Sequence, residues 1–262
     1  MKRNSTFLKQ GFKIYGKNLA LCTAVCCPAV VLAALAFAAR ALGVYFIRLY
    51  SPDFTDTLYF MDTDFFLKLP SVIKYALLVL IIPLYYGIYL WLAELKRGNV
   101  HKIYESFGFY TRFSLIFKCI LIKFTDLIFK TAVLLPVLIP LSAAVWVISL
   151  AFRYSYYGIY IISVGLCLAA VTAVCFIACL TFAQQSFSLD YVYVTNPEKP
   201  FLWIVKTAFG TMKNRKASGF ALKLILSFFL IPCVLIVPIP FIMPAVILCI
   251  ISYNADICAK IS

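Results

Sequence analysis

Charge is what this 262-residue chain has least of: Asp, Glu, Lys and Arg make up only 13% of it. A soluble domain carries about 25% charged residues. Too few polar side chains remain to cover a globule in water. A mean hydropathy of +0.98 equally excludes a disordered chain. Histidine is almost missing, with His101 the single copy. A serine or cysteine nucleophile therefore lacks its usual base, and a metal lacks its commonest nitrogen ligand. The motifs H-E-x-x-H, G-x-S-x-G, the P-loop and the dinucleotide fingerprint are absent. These absences argue against an enzyme and imply no cofactor and no metal site. No nucleic-acid-binding signature is present either.

What remains is apolar, at 64% of the chain. A helix crosses a bilayer core with about 20 mostly apolar residues. Such runs occupy 19–39, 75–93, 131–152, 159–183 and 220–259. The last is too long for one crossing and carries Pro238, Pro240 and Pro244 near its middle. Proline removes a backbone donor and disfavours helix just before it. The run therefore divides into spans at 220–237 and 241–259. The expected fold is all-α, an integral membrane helical bundle with six transmembrane helices in a single membrane domain, 1–262. The first span is longer than a signal-peptide core and follows an 18-residue polar leader, so no cleavage is expected at Ala36-Phe37-Ala38.

The net charge of +14 reflects 24 Lys and Arg against 10 Asp and Glu. Summed over alternate inter-span segments, 19 of the basic residues lie on one side and five on the other. By the positive-inside rule both termini are cytoplasmic. The ten cysteines sit almost entirely in apolar stretches, including the i,i+4 pairs Cys22/Cys26 and Cys175/Cys179. They read as small apolar packing residues. In the outer loop 40–74, Asp53, Asp56, Asp62 and Asp64 alternate with aromatics but lack the glycine and distal glutamate of a calcium loop.

Each long cytoplasmic segment carries a basic amphipathic stretch leading into a span. The first places Phe7, Gly11, Ile14, Tyr15 and Asn18 on one face, with Lys9, Lys13 and Lys17 on another. The second has Val100, Ile103, Tyr104 and Phe107 at helical spacing. The third carries Phe201, Leu202, Val205, Ala208, Phe209 and Met212, with Lys199, Lys206 and Lys213 at heptad spacing. Such helices lie in the headgroup layer with their lysines towards phosphate. Three copies of an interfacial helix plus a hairpin would give this pattern, echoed in Ser106-Phe107-Gly108 and Ala208-Phe209-Gly210. Topological need alone would also give it. The partners implied are membrane lipids with anionic headgroups, contacted by Lys206, Lys213, Arg215 and Lys216; no protein partner is indicated.

One polar stripe interrupts the apolar text. Within 114–130, Lys118, Lys123, Asp126 and Lys130 fall close together around a helix. Asp126 can meet Lys123 at i+3 spacing or Lys130 at i+4. Two readings stay open. Either the helix is interfacial with snorkelling lysines, or Asp126 stands inside the bundle, neutralised by a lysine, as one wall of a polar cavity. Asp256, close to Asn254 in the last span, is either a second acid of this kind or simply a residue at the cytoplasmic end.

The C-terminal third carries Leu189-Asp-Tyr191, Asn196-Pro197, Thr207-Ala-Phe-Gly-Thr-Met212-Lys213, Leu226-Ser227-Phe228, Pro244 and Tyr253. With the N-terminal Gly16-Lys17-Asn18-Leu19-Ala20, this resembles a large uncharacterised family of bacterial multipass membrane proteins. It departs from that pattern at Asn214 and Ala245. Similar six-span domains occur attached to glycerophosphodiester phosphodiesterases, so the resemblance implies a membrane-embedded accessory role. It brings no activity and no site residues. The expected function is a non-enzymatic, lipid-contacting scaffold or accessory component; the alternative is a transporter or export permease subunit.

Overall fold

The apolar runs fold as helices. The computed structural model describes residues 2–54, 63–99, 101–153, 158–230 and 239–259, and among these there is helix and no strand. The order is α1 (Lys2–Lys17), α2 (Leu19–Phe54), α3 (Thr63–Arg97), a 3₁₀ helix (Ile103–Tyr110) and α4 (Phe113–Leu134). A 3₁₀ turn (Leu135–Val137) leads to α5 (Leu138–Arg153), then α6 (Gly158–Ala183) and a second 3₁₀ turn (Gln184–Ser186). The chain closes with α7 (Leu189–Thr195), α8 (Phe201–Met212), α9 (Lys216–Leu230) and α10 (Ile239–Cys258).

Among the described residues, five stretches are long and apolar enough to cross a membrane: Leu19–Gly43, Pro70–Arg97, Phe113–Leu150, Ile162–Thr195 and Ile239–Cys258. They overlap five of the six expected spans. The expected span 220–237 is only partly covered. Its helix, α9, has 15 residues, short of the ~20 a crossing needs, and 231–238 lie outside the described residues. Helix also runs further than hydrophobicity does. α2 continues to Phe54 and α3 begins at Thr63, entering both ends of the expected outer loop. Asp56 and Asp62 of that loop lie outside the described residues, as do Val100 and Pro238. The spans turn large apolar side chains outward: Ile139 is 74% exposed, Tyr160 77% and Leu166 64%. Patches of that kind are a liability in water and match lipid.

The chain forms two compact units, one of Met1–Ile120 with Phe229–Tyr253, the other of Leu121–Phe228 with Asn254–Ser262. In the first, α1 buries the edge marked by Asn4, Phe7 and Gly11. Phe7 stands edge-on to Tyr253 of α10 at 5.5 Å, and Gly11 lies so close to Cys249 that a Cβ would sit 2.5 Å from its sulfur. Part of the expected lipid-facing stripe of α1 is thus taken up by protein, while Lys9, Lys13 and Lys17 stay exposed. The second amphipathic stretch is 3₁₀ rather than α. Its period of three turns Ser106 and Phe109 inward and leaves Tyr104 and Phe107 exposed. Gly87 of α3 fixes this seat, because a Cβ there would fall 1.6 Å from the Ser106 carbonyl oxygen. Trp91 then donates its indole N–H to the His101 carbonyl at 3.1 Å.

The second unit is organised by an antiparallel pairing of α4–α5 with α6. Gly165 meets the Ile148 side chain, Phe129 faces Phe182 at 6.4 Å, and Asp126 meets Ser186. These contacts share one register. Across the same end, α8 turns Ile204, Ala208 and Met212 inward together with Thr211. Leu202, expected on the apolar stripe, is instead 77% exposed and Ile204 takes the inner place. Phe209 packs edge-on against Phe129 at 4.7 Å.

Candidate functional site

The polar stripe of α4 meets the point where α6 stops being a regular helix. On α4 the inner positions Cys119 and Ile122 are fully buried, whereas Phe117, Phe124, Leu127 and Ile128 are exposed. Asp126 lies four residues beyond Ile122, so helical periodicity places it on the inner face. A helix with its charge inside and its phenylalanines outside is built for lipid.

Opposite α4, residues 183–190 change course. α6 tightens into the 3₁₀ turn Gln184–Ser186, passes through Phe187 and Ser188, and resumes as α7. Ser188 anchors the break. Its hydroxyl donates to the Ala208 carbonyl at 2.9 Å and lies 2.7 Å from the Thr211 hydroxyl, both fully inside. The break aims two side chains at α4. Ser186 donates to the Asp126 carboxylate at 2.5 Å, and Asp190 accepts from the Lys123 ammonium at 2.7 Å. The other Asp126 oxygen takes the Lys130 ammonium. Of the two partners that sequence spacing allowed Asp126, the helix uses Lys130; Lys123 reaches across to α7. The Asp126 side chain is 15% exposed and that of Lys130 34%.

A third lysine completes the group. Lys216, Gly219 and Lys223 share one face of α9, at i, i+3 and i+7. Gly219 lets that face approach closely, since a Cβ would lie 2.9 Å from Met212 Cε and 3.6 Å from the Phe187 ring. Lys216 holds its ammonium 3.7 Å above Phe182, and Lys223 holds its own 4.9 Å above Phe187. The charged neighbours of Lys223 are Lys130, Asp126, Asp190 and Lys123. Three lysines therefore face two carboxylates, and each carboxylate already holds a lysine. Among the described residues Lys223 makes no hydrogen bond or ion pair. A cation–π contact contributes about 0.5–2 kcal/mol, less than the several kcal/mol a cation loses on leaving water.

The other expected positions divide. Lys206 and Lys213 are exposed, Lys216 is half-buried over Phe182, and Arg215 is half-buried with one guanidinium nitrogen enclosed. Asp256 is half-buried on α10. Its neighbour Asn254 is fully buried, and neither its side-chain oxygen nor its nitrogen has a hydrogen-bond partner among the described residues. Sequence reasoning missed Asp190, Ser186 and Lys223. Asp190 lies inside a motif quoted for the family resemblance, and Lys223 stands seven residues after Lys216, but neither spacing identifies the partner across the fold. Among the described residues no group of three His, Cys, Asp or Glu is gathered to hold a metal. His101 instead pairs with Glu105 at 2.5 Å.

The class is that of a multipass helical membrane protein, with a half-buried ionic cluster at one end of a helical hairpin. No family model matches the chain, and neither a curated protein nor a solved structure matches it.

Proposed function

We propose that this chain is a non-enzymatic integral membrane protein of the bacterial cytoplasmic membrane that binds anionic lipid headgroups, serving as a scaffold or accessory component. The observation that carries the reading is the cationic surplus of the cluster formed by Lys123, Asp126, Lys130, Asp190 and Lys223. Its depth supports this. From Arg153 back to Asp126 there are 27 helical steps, about 40 Å at ~1.5 Å each. The hydrocarbon core is about 30 Å thick. With Arg153 at one boundary, Asp126 lies past the other boundary of the hydrocarbon core, on its headgroup side. α6 counts the same way, since Gly158 to Ser186 spans 28 steps.

Exposed Lys206 on α8 and Lys213 just after it extend the basic surface near the contact of Phe209 with Phe129. Each lysine near an anionic leaflet contributes on the order of 1 kcal/mol. The test is the lipid that co-purifies. Lys206→Gln with Lys213→Gln should lower the ratio of phosphatidylglycerol to phosphatidylethanolamine retained; an unchanged ratio rejects the headgroup reading. With both termini cytoplasmic and the passage 220–259 crossing twice, single cysteines at 206 and 213 should label only after permeabilisation. Labelling from outside would reject that orientation.

A transporter or permease subunit is the second reading. It is favoured by the break at 184–188 beside paired charges, the kind of discontinuity that lines transport sites. Solute flux in proteoliposomes that Asp126→Asn abolishes would establish it over the scaffold.

A further inference from the structure

We propose that Lys223 holds the phosphate of one anionic lipid headgroup against the 184–190 break, as the counter-charge that the described residues do not supply. The inference rests on the headgroup reading and adds a specific subsite to it. Both carboxylates in reach are committed, Asp126 to Lys130 and Ser186, Asp190 to Lys123. Lys223 is half-buried and, among the described residues, its one direct contact of this kind is the face of Phe187 beneath its ammonium. An aromatic face orients a cation without neutralising it. The missing negative charge therefore comes from outside the chain, and the headgroup layer offers phosphodiesters. Lysine suits such a ligand as a compact charge with three donors.

The seat is rigid. Gly219 presses α9 onto Phe187, and Ser188 ties the backbone next to Phe187 to α8. Lys216 stands two helical turns back on the same face, over Phe182, so a headgroup at Lys223 meets a continuous cationic edge. Lys123 and Lys130 form the far side, already balanced by their carboxylates.

The full-length protein in detergent, titrated with phosphatidylglycerol or phosphatidylcholine while its unfolding midpoint is followed, tests this. Phosphatidylglycerol should raise the midpoint of the parent by several degrees and phosphatidylcholine should not. Lys223→Met should remove most of that rise, weakening apparent affinity about tenfold, and Lys223→Arg should keep it. A rise that survives in Lys223→Met overturns the proposal. Inorganic phosphate reproducing the rise in the parent, but not in Lys223→Met, overturns the lipid source. If Lys223→Met does not fold, Asp190→Asn answers instead. Removing the Asp190 charge leaves less negative charge beside Lys123 and Lys223 and should enlarge the rise, whereas an unchanged or smaller rise counts against the site. Should phosphatidylglycerol fail to stabilise the parent while Lys206→Gln and Lys213→Gln still deplete co-purified lipid, the subsite falls and the headgroup reading stands.

Discussion

The two units close by different means. In the first, helices meet through shape: Gly11 against Cys249, Gly87 against the Ser106 carbonyl, Phe7 edge-on to Tyr253. Polar side chains there serve backbone, as Trp91 does for the His101 carbonyl and Ser106 for the Ile103 carbonyl. In the second, side chain binds side chain: Lys123 with Asp190, Lys130 and Ser186 with Asp126, Ser188 with Thr211. Helices in lipid have no hydrophobic drive towards each other, so close small-residue contact or polar bonding must select the partner. The second unit combines them, since Gly165 and Gly219 also pack closely there, but it adds paired charges between helices. The difference bears on function, because a glycine contact leaves no room for a third group, whereas an ionic cluster with a surplus charge invites one.

Mutating both units tests this division, and the largest effect belongs to the first. Gly87→Ala forces a Cβ to within 1.6 Å of a backbone oxygen, which cannot swing aside as a side chain would. In an open helix the same change would gain up to about 1 kcal/mol. Here it should cost about 3 kcal/mol or more, as overpacking against fixed backbone does, and be read as a large drop in the unfolding midpoint. An unchanged midpoint would mean that the first unit does not close through this contact.

Next is Asp126→Asn in the second unit. It strips Lys130 of its counter-charge and leaves Ser186 a weaker acceptor. With the carboxylate mostly covered and the lysine a third exposed, the loss should be about 2–3 kcal/mol, below the full penalty of a fully buried broken pair. Lys130→Met added to it should restore part of the loss, and the coupling is the quantity to measure. Strict additivity in that double-mutant cycle would show that charge does not close this unit.

The apolar helices were legible in the sequence, but their pairings were not. Apolar runs and flanking lysines locate the spans because a bilayer demands length and lack of charge, both of which are local properties. The inner placement of Asp126 was one of two readings left open. Periodicity puts Lys123, Asp126 and Lys130 on one side of α4 but does not say which way that side faces. That depends on residues 60 and more positions away, Ser186 and Asp190. The second amphipathic stretch shows a different limit. Its spacing read as α-helical, but the close approach at Gly87 supports a 3₁₀ helix with another face inward. Nothing within 103–110 announces that contact.

A smaller effect should follow Ser188→Ala, which removes the hydroxyl shared by the Ala208 carbonyl and Thr211. Thr211 also donates to the Ala208 carbonyl, so that acceptor keeps a donor. The expected cost is therefore about 1 kcal/mol, an ordinary net hydrogen bond. A much larger loss in the midpoint would show that the 184–190 break depends on this single anchor.

The smallest effect calibrates the glycine argument. α3 ends in a Schellman motif: the Asn99 amide donates to the Glu94 carbonyl and the Gly98 amide to the Leu95 carbonyl, each at 3.1 Å. Gly98 sits between them at a φ of +93°, with nothing within 4 Å of where a Cβ would stand. Gly98→Ala thus meets no clash and incurs only the backbone strain of a left-handed residue, about 1 kcal/mol. Gly98→Asn should cost less, because asparagine tolerates that region better. Gly87 is the opposite case, with a helical backbone that alanine would favour and no room for it. If Gly98→Ala and Gly87→Ala lower the midpoint equally, the cost at Gly87 is not steric, and the claim that the first unit closes by shape loses its main support. A wide gap between them, with Gly98→Asn milder than Gly98→Ala, separates backbone strain from close packing within one helix.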